Sequence, residues 1–328
     1  MIARSIAAGA RLALAATATV LTLSLAAPLH AQTPQKPIKI VYPFPAGSAG
    51  DTVSRIVASA LQQQLQQTVI VENRAGAGGI TGTRSVVAAE PDGTTLIVVP
   101  SAVATMIPLY NKDAGYNAKK DLTAITQLVS QDLALGVGPA MPVKSLEELI
   151  ERVRKEPAKG TYGTPGAGSS LHLIGVKMAE VAGISLTPVH YRGAAPALND
   201  VVAGQLPMML SPMPDQLQQH RANNIRIIAI AGSERSTFLP DIPTLKEQGI
   251  DIVSRGWFAA FGPVGLSPEI VDRMAKAMNE AVQDPKSQER LGQLGFVAAG
   301  TRPDALKELV RSEIAFWRPI LAASGFKP

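Results

Sequence analysis

Two short stretches of the chain combine glycine and other small residues with the start of a predicted helix. PAGSAGD (45–51) lies between the apolar run IKIVYPF (38–44) and a helical pattern, and GTPGAGSSLH (163–172) occupies a similar position further along. The first N–H groups of a helix have no partner within it, and the positive end of the helix dipole strengthens their attraction for anions. Glycine also lets the backbone approach a bound group closely. Each stretch therefore predicts an anion site, and two sites favour a ligand with two negative ends.

Each stretch also has a plainer interpretation, and the residues alone do not choose between the two. In the first, Ser48 or Asp51 would cap a helix at an ordinary tight turn. In the second, His172 lies one turn into the helix, where packing explains it as well as contact with a ligand does. The residues that would add N–H and hydroxyl donors to the second stretch are Thr164, Gly166, Gly168, Ser169 and Ser170.

Sequence patterns for catalysis or cofactor binding are scarce. ENRAGAGGITG (72–82) has Thr81 where the dinucleotide fingerprint needs a glycine, so close packing of a helix on a sheet explains it better. The chain has no G-x-S-x-G stretch, P-loop, H-E-x-x-H pair or cysteine, and His172, His190 and His220 lack metal-ligand spacing. We predict no cofactor, no metal and no enzyme activity. An exported α/β enzyme acting on carboxylic esters and a nucleotide-binding domain remain the alternatives.

The elements that must position these stretches follow a strand–helix rhythm. Continuous apolar runs such as 94–100 predict buried strands, and the 3–4 spacing of apolar residues in 51–65 predicts a helix packed on them. This predicts an α/β fold with two lobes, a central parallel-type sheet in each, and a ligand cleft between them at the carboxyl ends of the strands. The predicted lobes are 32–136 with 256–328 (lobe 1) and 137–255 (lobe 2).

The first 31 residues form a separate segment. Arg4 and Arg11 precede an uncharged apolar run (12–27), which is the layout of a secretory signal peptide, with cleavage near Ala31. The run is shorter than the roughly twenty residues of a membrane-spanning helix. Without this segment, which holds two basic and no acidic residues, the net charge falls from +5 to +3. The remaining basic residues are scattered, so we predict no nucleic-acid partner.

Five motifs, in order between residues 38 and 263, resemble the Bug family of extracytoplasmic solute receptors of tripartite tricarboxylate transporters. They are YPFPAGSAGDTVSRIVA, VIVENRAGAGGITGTRSVVAAEPDGTTLIV, YGTPGAGSSLHL, HYRGAAPALNDVVAGQLPMML and LPDIPTLKEQG. The resemblance implies a periplasmic binding protein whose two lobes close around a small carboxylate without changing it. It also implies the membrane components of such a transporter as partners, and we expect a monomer.

In that family the two turns grip carboxylates through N–H groups, hydroxyls and bridging waters. For the first lobe the resemblance assigns ligand contacts to Phe44, Ala46, Ser48, Ala49, Gly50 and Asp51, with Ser101 and Thr105 after the third strand. For the second lobe it assigns them to Thr164, Gly166, Gly168, Ser169, Ser170 and His172, with Tyr191, Arg192, Gly193 and Ser211 at the next strand ends. Arg192 would pair with a ligand carboxylate or else face solvent.

One departure from the family concerns the end of the strand in VAGQLPMML. Family members that bind amino acids tend to present an aspartate there, whereas this chain has Ser211 and Pro212. This disfavours an amino acid and favours a simple dicarboxylate, within the wider prediction of a di- or tricarboxylate ligand. Met209 and Met213 lie nearby, and methionine adapts to flat apolar surfaces. An aromatic dicarboxylate such as terephthalate is therefore one candidate, although core packing is the commoner use of methionine.

Overall fold

The computed structural model describes residues 36–326, and the predicted signal peptide (1–31) lies outside them. From Pro37 onward the chain forms one unit built on a sheet of ten strands. The strands are β1 (Ile38–Tyr42), β2 (Val69–Asn73), β3 (Thr95–Pro100), β4 (Leu122–Val137), β5 (Thr161–Thr164), β6 (Thr187–His190), β7 (Met208–Pro212), β8 (Arg226–Ile230), β9 (Arg255–Pro263) and β10 (Val297–Ala298).

Helices alternate with these strands over most of the chain. They are α1 (Ala49–Leu65), α2 (Ile80–Val87), α3 (Ser101–Ala104), α4 (Ile107–Tyr110), α5 (Ala118–Asp121), α6 (Leu146–Lys155), α7 (Ser170–Ala182), α8 (Ala194–Val202), α9 (Met213–Arg221), α10 (Pro268–Gln283), α11 (Pro285–Gln293) and α12 (Pro303–Ala323). Within residues 36–326, no helix combines the length and the apolar content that crossing a bilayer requires.

Strand β4 joins the two halves of the sheet. The order of the strands is β2-β1-β3-β9-β4-β7-β5-β6, and β8 and β10 also pair with β4. Up to Asp132, β4 pairs antiparallel with β9; from Leu133 onward it pairs antiparallel with β7 and then β8. One uninterrupted strand of 16 residues therefore belongs to both halves.

The directions of the other strands bring two sets of loops face to face. β1, β2 and β3 are parallel to one another and antiparallel to β9, so they run in the same direction as β4. β5, β6 and β7 are also parallel to one another but run against β4. The end of β3 therefore approaches the middle of β4 from one side, and the end of β7, where Pro212 pairs with Leu133, approaches it from the other. Loops at the carboxyl ends of the two sets point towards each other.

This architecture confirms the predicted two-lobed α/β fold and corrects one feature of it. Each half contains parallel strands as predicted, and there are three of them in each, but antiparallel β9 and β4 complete a mixed sheet. The segment 122–132 was not predicted as a strand because polar residues interrupt its apolar pattern, and two register shifts interrupt its pairing with β9. The chain passes between the halves within β4 and again just before β9. The lobe boundaries at 136/137 and 255/256 stay a prediction.

The last helix packs against the cores of both halves. Leu306 and Val310 belong to the apolar cluster around β3 and β9, whereas Trp317 and Leu321 belong to the cluster around β5, β7 and α7. All four side chains are buried. The apolar stripe of the sequence pattern is thus divided between two partners along one helix.

An ion pair lies at the junction of the two halves. Asp132 and Arg255 are paired residues of β4 and β9, and the guanidinium Nε and Nη2 lie 3.0 and 2.9 Å from the carboxylate Oδ1. The Asp132 side chain is 1% exposed, while Arg255 is 45% exposed. Because Asp132 is removed from water, loss of Arg255 would leave its carboxylate buried without an ion-pair partner.

Replacement of Arg255 should destabilise the protein, because the buried Asp132 carboxylate would lose its ion-pair partner. Arg255→Met keeps most of the side-chain stem, and we expect the free energy of unfolding to fall by about 2 kcal/mol, less than for a fully buried pair because water reaches Arg255. Urea unfolding measures the change. Arg235→Met is the matched control, because the Arg235–Glu247 pair is exposed on both sides and should matter little. Equal effects of the two variants would contradict a special role for the junction pair.

Candidate functional site

The first glycine turn leaves N–H groups at the start of α1 without partners. Ser48 precedes the helix in extended conformation, and Thr52 is the first residue whose N–H bonds back, to the Ser48 carbonyl at 3.0 Å. Among the described residues, nothing accepts a hydrogen bond from the N–H of Ala49, the first helical residue. Ala46 is exposed and Phe44 half-buried beside it. The turn thus offers a partly accessible main-chain donor at the positive end of a 17-residue helix.

Asp51 holds this turn in shape from inside the protein. Its carboxylate accepts hydrogen bonds from the Gly47 N–H (2.9 Å), the Arg55 guanidinium (3.0 Å) and the Asn73 amide (2.9 Å). Burial alone would raise the pKa of Asp51, but these donors outweigh it and lower the pKa. Asn73 also donates to the Phe44 carbonyl at 3.1 Å. Asp51 is one of the predicted ligand-binding residues, but its carboxylate oxygens accept hydrogen bonds from the protein itself.

Gly50 packs closely against the Tyr42 and Phe258 side chains beneath the same turn. A Cβ atom on Gly50 would lie 2.4 Å from the Tyr42 hydroxyl and 2.4 Å from the Phe258 ring. The Tyr42 hydroxyl lies beside Gly50 and accepts a hydrogen bond from the Ser48 hydroxyl at 3.3 Å. Burial raises the pKa of Tyr42 to about 12. A neutral phenol therefore supports the turn, and only glycine fits above it.

The second glycine turn, at the start of α7, also leaves a main-chain N–H group without a partner. Ser169 is the N-cap: its hydroxyl accepts the His172 N–H at 3.3 Å and donates to the Gly166 carbonyl at 2.7 Å. Ser170 is the first helical residue, and within the described part of the chain its N–H has no acceptor. The Thr164 hydroxyl donates to the Gly166 carbonyl at 3.2 Å. The hydroxyls of Thr164 and Ser169 are thus engaged within the turn.

His172 packs beneath this turn as a neutral ring. Its Nδ1 accepts the Gly168 N–H at 3.2 Å, at a glycine with φ +69°, and the side chain is buried. The ring stands edge-on to His190 and to Phe326, with centroids 4.7 and 5.5 Å apart. Burial, aided by the neighbouring His190, lowers the pKa of His172 to about 4. A proton on Nδ1 would remove the acceptor of the Gly168 N–H.

The remaining predicted residues of the second half surround the turn without all facing a ligand. The Tyr191 hydroxyl donates to Asp200 at 2.7 Å, and the Gly193 N–H donates to the Pro165 carbonyl at 3.2 Å. Arg192 is exposed. The Ser211 hydroxyl donates to the Pro212 carbonyl and accepts from the Gln216 amide at 3.0 Å. Met209 and Met213 are fully buried in core clusters, so they do not form the flat surface considered for an aromatic ligand.

The predicted residues after β3 connect to α12. Thr105 is buried, and its hydroxyl donates to the Ser101 carbonyl at 2.9 Å. The Thr105 side chain also lies beside the Glu313 carboxylate, which accepts the Trp257 indole N–H at 2.7 Å. Burial raises the pKa of Glu313 to about 7, although both neighbours act to lower it. Ser101 is half-buried at the start of α3, on the side that faces the second half.

Side chains after β3 reach the second turn directly. The Tyr110 ring lies against Gly168, where a Cβ atom would be 2.9 Å away, and packs edge-on to Phe326 at 5.5 Å. Met106 belongs to the core cluster of the second half. These contacts agree with the strand directions in placing the loops of the two halves opposite one another.

Sequence reasoning missed two polar residues near the facing loops. Asp215 lies in the first turn of α9, four residues after Ser211, and its carboxylate contributes to the raised pKa of Tyr42 on the other half. Gln131, just before the junction in β4, has a buried Oε1 without a hydrogen-bond partner. An acid following two prolines at a strand end could have drawn attention to Asp215. Among residues 36–326, no group of three or more acidic or histidine side chains could hold a metal ion.

Two helix starts lie at the meeting point of the half-sheets, and comparisons with known proteins identify the class of protein that has this fold. Residues 53–326 match the family described as the tripartite tricarboxylate transporter family receptor, and the chain belongs to this family. It is 31% identical to Protein BugT of Bordetella pertussis over 94% of this chain and 95% of that protein. The resemblance to Bug receptors is thereby confirmed, and so is the prediction of a binding protein rather than an enzyme.

Two solved structures share the fold along nearly their whole length. Rpa4515 of R. palustris with adipate has a TM-score of 0.83 and 26% identity, covering 90% of this chain and 99% of that one. MatC of Rhodopseudomonas palustris with bound malate has a TM-score of 0.77 and 28% identity, covering 88% and 99%. Both ligands are dicarboxylates.

The buried neutral His172 should make the protein less stable in mild acid. The unfolded chain takes up a proton near pH 6.5, whereas folded His172 does so only near pH 4, so its contribution is complete above pH 6.5 and is lost as the pH falls between these values. We expect the free energy of unfolding to drop by about 1 kcal/mol between pH 7 and pH 5, after allowance for solvent screening.

Urea unfolding of His172→Asn at both pH values tests this expectation, because asparagine keeps an acceptor close to Nδ1 but does not titrate. The pH-dependent loss should shrink in this variant. In the control His220→Gln, which alters a histidine away from the turn, most of the loss should remain. An unchanged pH dependence in His172→Asn would show that other groups cause it.

Proposed function

We propose that the protein is a periplasmic receptor that binds a small organic dicarboxylate, or a tricarboxylate, between its two lobes. What supports the proposal is the pair of helix starts at Ala49 and Ser170, whose N–H groups are unpaired and whose loops lie at strand ends directed towards each other. One carboxylate at each start would satisfy these donors without a buried positive charge. Neutral donors can bind a carboxylate without holding it as tightly as a buried positive charge would. A receptor that must release its ligand requires such moderate binding.

The family and the neighbouring structures support this proposal. Receptors of this family serve tripartite tricarboxylate transporters, so the membrane components of such a transporter are the expected partners. The ligands adipate and malate of the two solved structures carry two carboxylates each. The signal-like segment 1–31 agrees with export to the periplasm. We propose lobes of 32–136 with 256–328 and of 137–255, as predicted from the sequence.

Ligand-dependent thermal stability provides the direct test. We expect at least one linear dicarboxylate of four to eight carbons, or citrate, to raise the melting temperature in proportion to its concentration relative to Kd. Terephthalate belongs in the same panel, although the burial of both methionines removes its structural support. Recovery of the compound unchanged after incubation checks that the protein only binds it. Failure of every carboxylate to shift the melting temperature would overturn the proposal.

Proline substitutions can delete the N–H donors without deforming the helices. Ala49 and Ser170 each occupy the first helical position after an extended residue, which is where proline fits best. We expect Ala49→Pro and Ser170→Pro each to weaken binding of the stabilising dicarboxylate by about tenfold or more, because a charge-assisted hydrogen bond is lost. Isothermal titration calorimetry measures the change.

Matched controls keep the N–H in place. Ala49→Gly should bind almost normally, and Ser170→Ala separates the hydroxyl from the main-chain donor at the same residue. If Ser170→Ala and Ser170→Pro lose affinity equally, the hydroxyl rather than the N–H grips the ligand. Unaltered melting temperatures without ligand confirm that the proline variants are folded.

A further inference from the structure

Gly168, a buried glycine of the second turn, is in close contact with two aromatic side chains from outside α7. A Cβ atom on Gly168 would lie 2.8 Å from the Phe326 ring and 2.9 Å from the Tyr110 ring, closer than Cβ atoms approach other heavy atoms in proteins. The two rings therefore touch the main chain of the turn itself. Because Gly168 also has φ +69°, a larger residue there would be strained as well as crowded.

The Tyr110 and Phe326 rings form a three-ring cluster with His172 beneath the turn. The Phe326 ring stands edge-on to Tyr110 at an interplanar angle of 87° and to His172 at 77°, with centroids 5.5 Å apart in both pairs. Edge-to-face rings at this separation attract one another. His172 Nδ1 accepts the Gly168 N–H at 3.2 Å. The three-ring cluster therefore holds Gly168 both by ring contacts and by a hydrogen bond.

The members of the three-ring cluster come from separate elements. His172 belongs to α7, Tyr110 ends α4 in the segment after β3, and Phe326 follows α12. A tight turn directs Phe326 at the end of that helix: Gly325 has φ +68°, and the Phe326 N–H donates to the Ser324 hydroxyl at 3.2 Å. The shape of the second turn therefore depends on residues outside its own strand and helix.

Tyr110 connects the second turn to the other half of the molecule. Its side chain packs against the apolar cluster around β3 and β9 and also against the cluster around β5, β7 and α7. The segment that carries it begins at the end of β3, a strand of the first half. The second turn is therefore supported partly by a side chain of the half that contains the first turn.

The three-ring cluster lies next to the main-chain donor that the proposed function assigns to this half. Ser170 follows Gly168 by two residues, and Ser169 between them is the N-cap of α7. Each peptide unit is planar, so the dihedral angles at Gly168 help to set the direction of the N–H groups that follow. A donor that is already ordered binds an anion more tightly than one that must be ordered on binding.

We propose that Tyr110 and Phe326 are positioning residues of the ligand site, whose rings hold the Gly168 main chain so that the Ser170 N–H is oriented towards a ligand carboxylate. The effect on affinity rests on the proposed function, whereas the hold of the rings on the turn is open to test without a ligand. Neither ring has to touch the ligand. The volume that each ring places against Gly168 matters, and the Tyr110 hydroxyl does not.

Isothermal titration calorimetry tests the effect on affinity, with whichever of succinate, malate, adipate and citrate raises the melting temperature most. We expect Phe326→Ala and Tyr110→Ala each to weaken binding about three- to tenfold, because the turn must then be ordered on binding. Tyr110→Phe and Phe326→Leu keep most of the volume against Gly168 and should retain most of the affinity. Since the two rings touch each other and the same glycine, the double alanine variant should lose less than the product of the two single losses.

Phe316→Ala is the matched control for the loss of a ring near the end of α12. Phe316 is 43% exposed and packs edge-on to Trp317 at 4.9 Å. It takes no part in the contacts with Gly168. We expect this variant to bind the ligand as the unaltered protein does, and the melting temperature of each variant without ligand shows that it is folded.

Nuclear magnetic resonance of the ligand-free protein tests whether the rings hold the turn. In Phe326→Ala, water gains access to His172, so its pKa, which burial lowers to about 4, should rise towards the ordinary value of 6.5. His190 stands 4.7 Å from His172 and also titrates, so the two rings are followed separately. The Gly168 N–H should exchange with solvent about tenfold faster or more, because local opening of the turn becomes easier. Phe316→Ala should change neither quantity.

The outcomes separate the positioning role from the proposed function. Unchanged affinity in Tyr110→Ala and Phe326→Ala, or an equal loss in Phe316→Ala, would overturn the positioning role while the dicarboxylate receptor stands. Unchanged exchange of Gly168 and an unchanged pKa of His172 in Phe326→Ala would overturn the hold of the rings on the turn. Absence of binding by the unaltered protein to every carboxylate would overturn the receptor, and with it the effect on affinity.

Discussion

Main-chain N–H groups that α1 and α7 cannot satisfy are the constraint on which the rest of the structure depends. The loops that carry them are directed towards each other because the parallel strands before them run in opposite directions towards the middle of β4. Neither turn contains a lysine or an arginine, so the proposed binding of an anion there would depend on oriented dipoles rather than on a full charge. The remainder of the chain keeps these donors in place and leaves them unpaired.

The two turns are stabilised from below by buried groups of opposite electrical character. Asp51 is an ion whose three donors keep it deprotonated, and His172 is a base whose burial keeps it uncharged. Each accepts an N–H from a glycine of its own turn, Gly47 or Gly168. In both cases the polar side chain fixes the loop, and the donors nearest the helix axis stay free. The atoms that fix the shape of each loop therefore differ from the N–H groups that we propose bind the ligand.

The sequence was enough for the class of fold and for the location of the two turns, because glycine, helix starts and apolar strands are local patterns. It was not enough for the roles of particular side chains. Thr105 and Asp51 have the right types for ligand contact, yet their polar atoms bond within the protein, and one donor to Asp51, Asn73, lies on a different strand. The strand 122–132 and the environment of Asp215 depend likewise on neighbours that only the folded sheet brings together.

Helix α12 has a mechanical consequence for any change in the angle between the halves. Its first turns are anchored in one apolar core and its last turns in the other. Pro319 lies in the second of these regions and cannot donate the usual helical hydrogen bond to the turn before it. A rotation of the halves must therefore shear one of the two anchorages or flex the helix near this residue. Strain from the cleft would in this way be transmitted to the outer surface of the molecule.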